Sequence, residues 1–171
     1  MRIGRRVGVD VGSARVGLAT CDPEGVLATP VGTLARSDAL SDLDEIADTV
    51  RRLAAIEVVV GLPRSLSGSE GPAAEAARAY AISLVGRLAG VPVRLLDERL
   101  TTVDAQRALR EAGRPARQQR SVIDQVSAVL ILQAALDLER ASGRPPGEAL
   151  GGRKPRHRGE NAGLTGEGRR G

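Results

Sequence analysis

Phenylalanine and tryptophan are absent from these 171 residues, and tyrosine occurs once, at Tyr80. No row of aromatic rings exists on which single-stranded bases could stack, which excludes one common way of holding nucleic acid. Cysteine and histidine are equally scarce. Cys21 has no partner for an internal disulfide, and with His157 the only histidine a structural zinc site of Cys and His ligands is excluded. Long apolar runs are missing too: no stretch approaches the ~20 residues that a membrane helix needs, and no signal-like segment follows Met1. The expectation is a soluble, cytoplasmic chain with no membrane partner.

What is present is an aliphatic chain, 42% hydrophobic, long enough to bury one core. Its net charge of +4 is uneven: residues 140–171 hold eight Lys/Arg against three Glu, so the first 139 residues sum to −1. The tail is rich in Gly, Pro and Arg and lacks an apolar period, so it cannot repay its ordering entropy. The chain is therefore expected to divide into an ordered domain over 1–139 and a disordered basic tail over 140–171, which either solubilises the protein or tethers it to nucleic acid.

The ordered part is organised around its first strand, Arg5 to Val11, an apolar run that ends on Asp10 before a Gly12-Ser13 turn. A carboxylate is delivered to the edge of a site, and the glycine lets backbone N–H groups approach an anion such as a phosphate. A second strand, Arg15 to Thr20, and a third, Gly25 to Leu34, complete an antiparallel meander. Ser41 reads as the N-cap of a helix carrying Leu43, Ile46, Ala47, Val50 and Leu53 on one face. Glu57 to Leu62 is a continuous apolar strand, followed by a polar Gly/Ser loop from Pro63 to Gly71. Pro72 opens a second helix whose buried stripe is expected to be Ala73, Ala77, Tyr80, Leu84 and Leu88. A fifth strand, Val91 to Leu96, runs into Asp97-Glu98-Arg99-Leu100-Thr101-Thr102, with a helix expected over 103–112. Alternation of strand and helix in this half predicts a sheet that continues in parallel fashion.

The most basic stretch of the ordered part lies between Arg107 and Arg120, where Arg107, Arg110, Arg114, Arg117 and Arg120 face a single Glu111. Ser121 reads as the cap of a last, almost wholly apolar helix running to about Glu139, with Asp124 on an inward face. Three acids thus stand at strand ends and at the start of an inward helix. Carboxylates brought together repel one another unless they hold hard cations, and Mg²⁺ takes oxygen ligands together with substrate phosphates. Between the adjacent acids, strand alternation favours Glu98 and sends Asp97 to the other face. Arg15, Arg64 and Arg99 are candidate phosphate clamps.

In order, the Asp10-x-Gly-x-x-Arg-x-Gly opening, the Val58-Val59-Val60-Gly61-Leu62-Pro63 strand, Asp97-Glu98-Arg99-Leu100-Thr101-Thr102 and Asp124-x-x-Ser-Ala-x-x-Ile-Leu resemble the YqgF (RuvX) family over about residues 5–139. The resemblance implies an RNase H-like α/β fold, a mixed five-stranded sheet with three antiparallel then parallel strands, flanked by helices. It also implies a nuclease that resolves Holliday junctions or matures the 5′ end of 16S ribosomal RNA precursor. By position, Asp10, Glu98 and Asp124 would be the catalytic, metal-binding acids, holding Mg²⁺ or Mn²⁺ as a pair of ions in two-metal phosphodiester hydrolysis. Gly12, Ser13, Arg15, Arg64, Arg99, Thr101, Arg114, Arg117 and Arg120 would contact the substrate. Ala14 stands where the family usually has a basic residue.

The partner would be precursor rRNA or branched DNA, and the protein a monomer or a homodimer, since symmetric cuts in a junction require a two-fold axis. Two further readings stay open at this level: a nuclease-fold protein that binds ribosomal RNA or a transcription complex without cutting it, and an ATP-binding phosphotransferase, which opens with a similar Asp-x-Gly-Ser turn.

Overall fold

A computed structural model describes residues 1–65, 67–100 and 117–151; the expected helix over 103–112 and the residues Thr101, Arg107, Arg110 and Arg114 lie outside them. Three strands, β1 (Arg6–Val11), β2 (Arg15–Cys21) and β3 (Ala28–Ala35), form the expected meander. Helix α1 (Ser41–Arg52) then leads to β4 (Glu57–Leu62), and helix α2 (Pro72–Val85) to β5 (Val93–Asp97). After a 3₁₀ turn, Glu98–Leu100, the described chain resumes in a long helix α3 (Arg117–Ser142) and ends on β6 (Glu148–Leu150). The sheet order is β3-β2-β1-β4-β5-β6, with β4 parallel to both β1 and β5 and the other pairs antiparallel.

Side chains alternate across this sheet and divide the core in two. Val7, Val9, Val16, Leu18, Val58, Val60, Val93 and Leu95 point to the face covered by α1 and α2. Ala19, Cys21, Val59 and Leu96 point to the other face, where α3 lays down Ala128, Ile131, Leu132, Ala135 and Leu136. β4, covered on both faces, is buried at every residue, which explains its unbroken apolar sequence.

Four expectations shift. Ser41 is not a cap: Leu40 takes the left-handed conformation at φ 59° and Ser41 is the first helical residue, with no side-chain cap bond. The stripe of α2 runs through Ala74 and Ala81 as well as Ala77, Tyr80 and Leu84, leaving Ala73 exposed. α3 begins at Arg117, so Ser121 lies inside the helix and Arg117 and Arg120 belong to its first turns. The fourth concerns the chain end expected to be disordered. α3 runs on to Ser142, and Glu148–Leu150 adds a sixth strand antiparallel to β5, its Glu148 paired with Arg78 at 2.8 Å. Gly147 enters that strand at φ 72°, in a place where a Cβ would stand 3.0 Å from the Leu95 carbonyl carbon. Backbone pairing, rather than an apolar period, orders this segment.

At the end of the α3 face remote from Asp10 lies a buried ionic cluster. Arg6 and Glu139 are 1% and 2% exposed and bonded at 3.2 Å. Arg2 bridges Glu139 and Glu57, and Arg94 also reaches Glu57, at 2.7 Å. It fastens the chain's first residues and the end of α3 to the sheet. Hydrogen bonds from Arg2 hold the Glu139 carboxyl well below its ordinary value, down to about 2. A carboxyl whose folded value is depressed stabilises the fold fully above its unfolded value, and that stabilisation fades as pH falls toward the folded one. Stability should therefore decline between about pH 4.5 and pH 2. Glu139→Gln should cost about 3 kcal/mol at neutral pH, because it leaves Arg6 buried without its counter-charge. It should also flatten the acid limb; chemical denaturation across that range checks both, and identical acid limbs would contradict the assignment.

Candidate active site

Asp10 is the fifth of six residues in β1 and is 3% exposed. Arg6, Gly8 and Asp10 share a strand face by the two-residue period. That face is the one under α3, since Arg6 meets Glu139 and a Cβ on Gly8 would stand 2.7 Å from Leu132 Cβ. Across the sheet Asp10 pairs with Gly17 of β2. On its other side the parallel register places Val9 opposite Val60, so Gly61 of β4 comes next beside Asp10.

Each flanking glycine clears room for another of the acids. A Cβ on Gly17 would lie 2.5 Å from the Asp124 carbonyl carbon and closer still to its oxygen, so the helix backbone at Asp124 rests directly on Gly17. A Cβ on Gly61 would lie 2.5 Å from Glu98 Oε1 and equally close to Ile131 Cδ1. Glu98, fully buried, thus reaches back over Gly61 from the end of β5. The structure brings Asp10, Glu98 and Asp124 to one end of the sheet, on one face, through two in-strand glycines that the sequence motifs contain but to which sequence reasoning gave no role. Their signal was available: glycine inside an apolar strand marks a close approach by another group.

Asp97 faces away. It pairs with Leu62 in the sheet, and its carboxylate takes Arg99 at 2.6 Å and Arg64 at 3.9 Å. Hydrogen bonds from Arg99 draw its pKa below the usual carboxylate value. Arg64 is also bonded to Glu70 at 3.0 Å, and Glu70 to Arg78. Gly68 of the Gly/Ser loop lies against Arg99, so the loop, Arg64 and Arg99 form one charged rim. The two arginines stand side by side, each engaged with a carboxylate.

Arg15 opens β2 and bonds Asp124 Oδ2 through Nε at 2.8 Å. The Gly12-Ser13 turn is closed by Gly12 N–H to the Arg15 carbonyl at 2.8 Å, with Ser13 exposed. Of the other residues anticipated at the substrate, Arg117 and Arg120 are placed at the start of α3, while Thr101 and Arg114 fall outside the described residues. Among the described residues no three Asp, Glu, His or Cys side chains form a ready-made cation cage. The donor set nonetheless suits a hard cation: carboxylates alone, those of Asp10 and Glu98 buried, with the Asp124 backbone and the Glu98 side chain seated over glycines where a Cβ would clash.

Comparison with known proteins bears on this geometry. Residues 4–138 match the family model described as RuvX: Holliday junction resolvase. A Streptomyces coelicolor protein named "Putative pre-16S rRNA nuclease" is 55% identical over 150 residues, covering 88% of this chain and 90% of that protein. A Mycobacterium sp. (strain KMS) protein of the same name is 58% identical over 147 residues, covering 85% and 86%. Among solved structures, Thermus thermophilus RuvC in complex with a Holliday junction substrate aligns over 86% of this chain and 99% of its own. Its TM-score is 0.52 at 14% identity, a likeness of fold.

Proposed function

The chain belongs to the RuvX family of Holliday junction resolvases, and on that premise we propose that Asp10, Glu98 and Asp124 carry out metal-dependent hydrolysis of a phosphodiester in structured nucleic acid. The relatives' naming as pre-16S rRNA nucleases favours the 5′ end of precursor 16S rRNA as the substrate over a DNA junction. The observation that carries the reading is the pair of glycines beside Asp10, one under the Asp124 backbone and one under the Glu98 carboxylate.

Asp10, Glu98 and Asp124 would hold Mg²⁺ or Mn²⁺, as a pair of ions. Bound there, a divalent metal would supply Lewis-acid activation of a water and would offset charge on the phosphodiester. The chain's own residues do the rest. Asp10 is placed by the sheet, and Glu98 by the turn that ends β5, and both carboxylates are buried. Arg15 orients Asp124 with one of its five N–H donors and retains others for a phosphate oxygen. The rim of Arg64 and Arg99 binds backbone phosphate without reading base identity. The protein would act in the cytoplasm; among the described residues no helix is long and apolar enough to cross a membrane.

Cleavage of a precursor 16S fragment and of a four-way DNA junction by one preparation, with and without EDTA, tests the proposal. The expected result is cutting of the RNA that stops in EDTA and returns with Mg²⁺ or Mn²⁺. Undiminished cutting in EDTA would refute the metal role, and cutting of the junction alone would reverse the substrate.

A further inference from the structure

Arg36, just past the end of β3, differs from the other arginines around the site. Arg15 is engaged by Asp124, Arg64 by Glu70, and Arg99 by Asp97. The Arg36 guanidinium instead lies over the Tyr80 ring, 5.0 Å from its centroid, and donates from Nη1 to the Gly12 carbonyl at 3.3 Å. Among the described residues it makes no ion pair with a carboxylate. Its backbone N–H is tied to the Ala14 carbonyl at 2.9 Å, so both ends of the residue are fastened to the turn that follows Asp10.

Tyr80 is a rigid support for that cation. It is the chain's only aromatic residue, 4% exposed, and its hydroxyl donates to Asp42 Oδ2 at 2.8 Å. A guanidinium stacked on one ring face keeps its other face and its remaining N–H groups for a partner. Arg36 itself is half-buried. A planar, pre-oriented cation whose charge is not cancelled by a carboxylate, beside a turn two residues from a catalytic acid, matches a phosphate.

We infer that Arg36 binds a backbone phosphate flanking the scissile one, on the side of the Gly12 turn away from α3, and so sets the register of the nucleic acid in the site. The inference rests on the nucleic-acid reading above. Tyr80 is then the positioning residue that holds Arg36, which gives the single aromatic of the chain a part in recognition without any stacking on a base.

The test measures affinity for the precursor 16S fragment and the four-way junction against salt, for wild type, Arg36→Gln and Arg36→Lys, alongside cleavage kinetics. Arg36→Gln should weaken binding several-fold and lower the slope of log affinity against log salt by about 0.7–0.9, the share of one phosphate contact. KM should rise with kcat nearly unchanged, and Arg36→Lys should restore the slope. Methylphosphonate substitution of one phosphate at a time should find a single flanking position that weakens wild type and leaves Arg36→Gln indifferent. If the wild type binds and cuts but Arg36→Gln keeps its affinity and slope, this inference fails alone. A loss of kcat with unchanged slope would likewise overturn it, showing that Arg36 only braces the turn. A wild type that binds neither nucleic acid would overturn it together with the proposed function, whereas binding without cutting would strike the nuclease reading and leave the Arg36 comparison decisive.

Discussion

Gly17→Ala should abolish cleavage and destabilise the protein together, whereas Gly61→Ala should abolish cleavage at much smaller cost to stability. Both replacements add one methyl group in an ordinary strand, so propensity predicts little effect or a slight gain. Contacts decide otherwise. At Gly17 the methyl would meet backbone, the Asp124 carbonyl, and α3 cannot give way locally because Ala128, Ile131 and Leu132 anchor the following turns. The helix must lift, at a cost of about 1–3 kcal/mol or more by the experience of overpacked cores. At Gly61 the methyl would meet the ends of two side chains, Glu98 and Ile131, which can rotate. Stability should fall by no more than about 1–2 kcal/mol. Glu98 would be pushed out of line, and a misplacement of about 1 Å can cost 10²-fold in rate. Melting curves and turnover of the two variants check this. A fully active Gly61→Ala would show that Glu98 does not work from the position over that glycine.

The adjacent acids provide the second large effect. Glu98→Gln should reduce cleavage to background while leaving the fold intact, since glutamine preserves the volume and part of the hydrogen bonding. Asp97→Asn should leave cleavage within about an order of magnitude of wild type, because its carboxylate serves Arg99 and Arg64 on the rim at the level of a charged hydrogen bond. That variant should instead alter binding, chiefly by releasing Arg99, since Arg64 keeps its bond to Glu70. Parallel measurement of KM and kcat separates the outcomes. Wild-type turnover in Glu98→Gln with loss in Asp97→Asn would exchange their roles.

Much of this architecture is legible in the residues. The Asp10 strand, the meander, the buried β4 and the Pro72 helix start all follow from local patterns, and the two-residue period alone separates Glu98 from Asp97. Other features are invisible because their causes are remote in sequence. Ser41 looks like a cap, yet Leu40 absorbs the turn in a left-handed conformation and displaces it. Glu148–Leu150 has no pattern of its own and is a strand only because β5 offers an unpaired edge. Nothing local to Arg6 or Glu139 shows that the two, 133 residues apart, are buried against each other once α3 lies beside β1. Gly17 and Gly61 show that something comes close; what comes close is known only once α3 is in place.

That last dependence has a consequence for how the protein comes into being. The contacts that fasten α3 to the sheet are long-range: at the site Arg15 meets Asp124 across 109 residues, and at the far end of the helix Arg2 meets Glu139 across 137. Loop closure of this span must precede any reward from packing, which places the docking of α3 among the slower events of folding. A chain still being synthesised holds Asp10 in a hairpin long before Asp124 exists to oppose it. The three acids therefore cannot be brought together ahead of the fold, and the candidate site is assembled only once the chain has been made beyond Asp124 and α3 can dock.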